Sequence, residues 1–263
     1  MRLIPKHRFC CLLFIVANHL FSNTTVFAQA LSPIQAQERP NGYATIGPVM
    51  TAGSDSRAVA FENEIKPIVL NIVRLNLASG QIFRNPGGYT LNPNYLVVGD
   101  RPNRPMRVYF IDEGAGYRNS LGISVVPFNP VANERRPKLI FPSVSKPALP
   151  NQSHILLAQQ LDRTQVDPLK TGDFVDIPNV DRGDMLDFFL ISNGANGGST
   201  VLWNDPELNP YKIRHMVAFE VPGHPDFMII GFEDLIGGGD LDYEDSIFVV
   251  DHGYNFENVV LPN

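Results

Sequence analysis

The chain has 263 residues, of which 44% are hydrophobic and 18% charged, and its formal net charge is −6. An acidic balance argues against nucleic acid as a partner, because phosphate backbones call for basic patches. The two cysteines, Cys10 and Cys11, are adjacent near the start, so nothing after them can rely on a disulfide framework.

Residues 1–30 read as a secretory signal peptide. Arg2, Lys6 and Arg8 make a basic start, Phe9 to Phe21 is mostly apolar, and Ala28-Gln29-Ala30 fits an A-x-A cleavage site. The apolar run is too short for a membrane span of about 20 residues, and no later stretch is apolar enough to span one. The alternative is an N-terminal anchor that stays uncleaved. Cleavage after Ala30 would remove both cysteines and three of the 21 basic residues but none of the 27 acidic ones, leaving 18 against 27, a net −9. An exported chain without disulfides gains from another staple, and a cation that binds only the folded state can act as one.

Residues 31–56 are rich in Gln, Pro, Gly and Ala with little periodicity, the texture of a flexible leader. From Arg57 to Ala78, Val59, Phe61, Ile65, Ile68, Val69, Ile72, Val73 and Leu75 recur at three- and four-residue spacing, which predicts a helix stopped by Ser79-Gly80. Pro67 predicts a kink or a start near Lys66. Such a helix packs on the following domain or docks a partner. Residues 81–105 are loop-like, with Leu96-Val97-Val98 as a short strand.

From Met106 the pattern is β. Predicted strands are Met106–Asp112, Leu121–Pro127, Lys138–Phe141, Asp173–Ile177, Met185–Ser192, Ser199–Trp203, Met216–Val221, Phe227–Phe232 and Ser246–Val250, with Gly, Asn, Asp and Pro between them. Asn151 to Gln165 has room for helical turns. Many short punctuated strands predict a mainly β fold: an antiparallel β-sandwich, jelly-roll-like, with one N-terminal helix.

The most informative stretch is Gly231-Phe232-Glu233-Asp234-Leu235-Ile236-Gly237-Gly238-Gly239-Asp240-Leu241-Asp242-Tyr243-Glu244-Asp245, which runs into the apolar Ser246–Val250. It reads as strand, acidic glycine loop, strand. Ca²⁺ takes about 6–8 oxygen ligands in irregular geometry. Glycines let the backbone bend at positive φ. Asp240, Asp242 and Asp245 offer carboxylates from a short arc, and Glu233 and Asp234 close from the other side. Five acids with no Lys or Arg between them repel one another unless a cation is present. The alternative is a surface hairpin with a solvated turn. An EF-hand fits poorly: counting from Asp240, the sixth position is Asp245 rather than Gly and the twelfth is Asp251 rather than Glu. Asp112, Glu113, Asn119 and Asn193 lie at other strand ends and would complete an oxygen cage if those ends meet the loop; the alternative for Asp112 is a turn cap.

Three stretches together resemble one family. They are Val108 to Gly122, Asp187 to Gly194, and His215-Met216-Val217-Ala218-Phe219 with Gly231 to Asp245. The family is the domain of unknown function 4114, found in secreted bacterial proteins, and the resemblance covers roughly residues 100–252. It implies an extracellular β-sandwich and, in adhesin contexts, calcium binding; it does not imply an enzyme. Glu244 stands where the family usually carries Asn, and Leu241 where a charged residue is frequent. Neither departure removes a carboxylate.

Other chemistry finds less support. No Gly-x-Ser-x-Gly elbow is present, and His154, His215, His224 and His252 lack the His-Glu-x-x-His arrangement. His215 reads as a hydrogen-bonded structural residue. No Gly-Lys-Ser/Thr follows Gly237 to Gly239, so a phosphate loop is excluded. Trp203, Tyr211 and Phe219 either line a sugar platform or pack into the fold.

The expected organisation is a signal peptide (1–30), a leader (31–56), a helix and loop segment (57–100) and the β-sandwich (101–263). The expected function is a secreted, calcium-binding module for cell-surface or matrix interaction, with a glycan or a surface protein as partner. The alternatives are an extracellular polysaccharide hydrolase, or a purely structural domain of an exported assembly.

Overall fold

The computed structural model describes residues 40–83, 90–98, 105–127, 135–144 and 169–253. The expected signal peptide, 1–30, and the helical turns expected within 151–165 lie outside them.

Strands that alternate apolar side chains across two covered faces can be buried on both sides. Ten strands occur among the described residues: β1 (Thr90–Leu91), β2 (Met106–Asp112), β3 (Asn119–Val126), β4 (Lys138–Val144), β5 (Phe174–Ile177), β6 (Met185–Ile191), β7 (Val201–Trp203), β8 (Met216–Val221), β9 (His224–Phe232) and β10 (Ser246–Asp251). They form two antiparallel sheets, in the orders β1-β8-β9-β10-β2-β5 and β4-β3-β6-β7. This is the mainly β, two-sheet architecture that the strand pattern predicts. The two-residue β1 was not predicted, and Leu96-Val97-Val98 makes only a single bridge, Val97 to Met185.

Even-numbered residues of the central strands face the second sheet. Val108, Phe110, Met228, Ile230, Phe232, Phe248 and Val250 meet Leu121, Ile123, Phe141, Phe188 and Leu190 there. The odd-numbered set, Tyr109, Ile111, Phe227, Ile229, Ile247 and Val249, faces outward and is covered by a helix. Each fully buried large apolar side chain contributes about 1.5–3 kcal/mol, so neither face can be left to water.

The covering helix runs through residues 56–76 in three parts: Ser56–Ala60, a π-helical turn Phe61–Ile65, and Lys66–Asn76. The sequence predicted a kink or a start near Lys66. The helix instead passes through, because Pro67 is accommodated by widening the turn before it, so that the Lys66 N–H bonds to Phe61 O. The wider turn also keeps a stripe aligned. Phe61, Ile65, Val69, Val73 and Leu77, all buried, recur every four residues. In a straight α-helix that stripe drifts about 40° per repeat, and one extra residue in the turn sets it back. Phe61 stacks on Tyr109, with ring centroids 3.7 Å apart. No helix of the described residues is long and apolar enough to cross a membrane.

Residues 40–56 fall within the expected flexible leader. They are instead bonded to both sheets. Ile46 N donates to Leu139 O and Leu139 N to Ala44 O, while Met50 and Phe174 exchange two backbone bonds. Asp55 caps the helix by accepting from Ala58 N at 2.7 Å, and it also pairs with Arg107 at 2.8 Å. Arg107 is buried over the Phe174 ring at 3.7 Å and forks onto Asp176 as well. Arg57 reaches Asp251 on β10 at 2.6 Å. The start of the helix is therefore pinned to β2, β5 and β10 by charge.

The Arg107 hydrogen bond lowers the Asp55 carboxyl to about 2. A lowered carboxyl stabilises the fold above its unfolded value near 3.9, and that contribution fades as pH falls through about 2. Asp55→Ala should lower stability by about 1 kcal/mol or more at pH 7. In urea melts, the gap between variant and parent should shrink as the pH is taken below about 4.

Candidate metal centre

Strands β9 and β10 form a hairpin in which Phe232 pairs with Ser246. The acidic stretch is its connection, 233–245. Gly238 (φ 86°) and Gly239 (φ 49°) make the bends, joined by Leu241 (φ 62°) and Tyr243 (φ 57°) in the same left-handed region. Each of these two non-glycine residues costs on the order of 1 kcal/mol and needs an external hold. Tyr243 is nearly buried, donates from its hydroxyl to Arg214 O at 3.3 Å, and packs edge-on to Phe83. A Cβ at Gly239 would run into the Glu233 carboxylate, so this glycine makes room for that acid as well as for the bend.

Glu233, Asp240 and Asp242 bring one carboxylate oxygen each to within 4.8 Å of the others, the one such group among the described residues. That spacing is about twice a Ca–O distance of 2.3–2.6 Å, so three such oxygens fit one ion's shell. Glu233 is 2% exposed, and its Oε2 has no hydrogen-bond partner. Asp242 is equally buried; its oxygens accept from Gly80 N at 2.6 Å and Glu244 N at 3.2 Å. Asp240 is exposed, on the solvent side of the group.

Asp245 and Asp234 stand directly behind. Asp234 N donates to Asp245 Oδ2 at 2.8 Å. Burial, then the neighbouring Asp245, Asp240 and Asp242 charges, push the Glu233 carboxyl up to about 8. Burial, then Asp234, push Asp245 up to about 7. Burial likewise raises Asp234 and Asp242. This is the signature of carboxylates crowded without a counter-charge.

The other predicted ligands are gathered at the same end of the sandwich but do different work. Asn119 links the two sheets: its Nδ2 donates to Asp234 Oδ2 at 2.8 Å, and its Oδ1 accepts from Asn193 N at 2.9 Å. Asn193 Oδ1 accepts from Arg118 N and from Asn196 Nδ2, which uses both lone pairs. Asp112 Oδ1 accepts from Glu113 N at 2.9 Å. Glu113 is 1% exposed and adjoins Gly114, whose N–H donates to Glu244 O at 3.1 Å. Asn119 and Asn193 thus act as pins in this hydrogen-bond network, and Asp112 and Glu113 stand outside the three-carboxylate group.

His215 is fully buried, with Nδ1 3.1 Å from Glu233 O, and burial lowers its pKa. Among the aromatics, Phe219 is buried under the helix and Trp203 lies against Phe189 on the other sheet, while Tyr211 is 82% exposed. They do not share one platform. Two contacts that no local pattern announces also hold the loop: Gly80 N to Asp242, and Phe83 N to Leu241 O at 2.8 Å. Only the stop signal at Ser79-Gly80 hinted that this turn is fixed in place.

Residues 180–253 match the model of one protein family, described as Domain of unknown function (DUF4114). The match spans β6 to β10 and the whole acidic loop; it leaves out Val108 to Gly122, the first stretch of the resemblance. No curated protein and no solved structure matches the chain.

An acid whose folded pKa is raised stabilises the fold fully only below its unfolded value, and that contribution is lost as pH rises through the folded value. In chelator, the protein should therefore lose stability between pH 4.5 and about 8, the ordinary and the shifted values for Glu233. Glu233→Gln should flatten that slope and gain on the order of 2 kcal/mol at pH 8. Urea melts at pH 5 and pH 8 in chelator measure both effects.

Proposed function

We propose that this β-sandwich is an exported, calcium-dependent interaction module in which Glu233, Asp240 and Asp242 hold the ion and Asp245 stands ready behind them. One observation carries the reading: a buried carboxylate oxygen of Glu233, without a hydrogen-bond partner, lies among the carboxylates of Asp240, Asp242 and Asp245. Desolvating a carboxylate costs several kcal/mol unless a cation or donors meet it. A hard, oxygen-preferring ion of flexible geometry suits three carboxylates on a bent loop. Water and loop carbonyls would supply the remaining ligands.

In this reading the ion serves the fold and, through it, a binding surface. Neutralising the loop fixes the β9–β10 connection against β2, β8 and the end of the helix. Loops held this way meet a surface glycan or protein at low ordering cost. The acid group sits on a glycine turn bonded to backbone amides, which suits ion binding better than the paired acids of glycoside hydrolysis.

Thermal unfolding in calcium, in magnesium and in chelator tests the ion. Calcium at 100 times its dissociation constant should add about 2.7 kcal/mol, magnesium less, because it demands a tighter octahedron. Asp240→Asn with Asp242→Asn should remove most of the gain. Three superimposable melting curves would end the proposal. Retention on an immobilised polysaccharide panel in calcium, lost in chelator and without product release, separates a module from a hydrolase.

A further inference from the structure

The ion-binding loop is tied to the end of the N-terminal helix through bonds that run to the ligand residues themselves. Asp242 Oδ2 accepts from Gly80 N at 2.6 Å, and Leu241 O, between Asp240 and Asp242, accepts from Phe83 N at 2.8 Å. The Phe83 ring stands edge-on to Tyr243, with centroids 5.8 Å apart, and also faces Phe219. Leu77, the last buried residue of the helical stripe, lies against Gly231 just before the loop, and Gly231 in turn lies under the Tyr243 backbone. Leu241 and Tyr243 hold left-handed backbone angles next to these contacts. Residues 77–83 therefore brace the loop in the shape in which Glu233, Asp240 and Asp242 converge.

We propose that cation loading and the docking of residues 77–83 are coupled, so that the ion fastens the end of the helix to the β9–β10 loop and its loss releases that end. The inference rests on the cation reading above. Its further content is that binding is reported at the helix. Without the ion, carboxylates that repel one another favour a wider loop. Widening moves Asp242 and Leu241 away from Gly80 and Phe83, and the two amides lose their acceptors together. Coupling of this kind is reciprocal: the factor by which the ion tightens the docking is the factor by which the docking tightens the ion. Ile82, 67% exposed between the two bonded residues, serves as a neighbouring site outside the brace.

The test uses the whole chain with calcium alone as probe. Heats of binding establish whether the ion binds, and amide hydrogen exchange follows Gly80 and Phe83 with and without it. Both amides should exchange at least tenfold more slowly in calcium, with smaller changes in the first turns of the helix. Phe83→Ala should weaken calcium by roughly three- to tenfold, and Ile82→Ala should leave it unchanged. Calcium binding with unaltered exchange at both amides overturns the coupling and leaves the ion site standing. Absence of any binding heat overturns both. The exchange measurement on the parent protein decides the matter even if Phe83→Ala fails to fold.

Discussion

The end of this sandwich depends on one constraint: the Glu233 carboxylate is buried among other carboxylates. Its position follows from the hairpin, since Phe232 pairs with Ser246 and Glu233 is the next residue out. Gly239 leaves the space it occupies. The surrounding order answers to the same charge. Asp245 is held by the Asp234 amide, Asp234 by the Asn119 amide, and Asn119 by the Asn193 backbone. The chain of bonds thus runs from the crowded acids across to the second sheet, and the rim of the fold is organised around a group that prefers a cation or a proton beside it.

The N-terminal helix is anchored at both ends by different physics. At its start, Asp55, Arg57 and Arg107 fasten it to β2, β5 and β10 through paired charges, with a cap and a stacked guanidinium. At its finish, two backbone amides meet acceptors on the acidic loop. Between the two, an apolar stripe with a four-residue repeat lies on the outward face of the six-stranded sheet. The π-helical turn keeps that stripe in line while accommodating Pro67.

Much of the sandwich was legible in the sequence because its strands are short, alternate cleanly and are separated by glycine, asparagine and proline. Met106–Asp112 and Met216–Val221 match residue for residue. Thr90–Leu91 was not legible, since two residues carry no period. Residues 40–56 were misread because their ties to the sheets are backbone bonds, which composition does not reveal. At the candidate site, the glycine-aspartate spacing announced Glu233, Asp240 and Asp242. It could not separate them from Asn119 and Asn193, whose amides suit a ligand and a hydrogen-bonded pin equally well. Only the hydrogen-bond partners distinguish the two roles.

The sheet borders have a consequence for life at high local concentration. β1 has two residues, β7 three and β5 four, while β4, the longest border strand, contains Pro142. Such borders offer a neighbouring copy few consecutive free amides, and a proline interrupts the row where it is longest. Strand-by-strand polymerisation is thereby discouraged. Association of this domain is left to side chains and loops, which can be tuned by sequence in a way that an open ladder of backbone groups cannot.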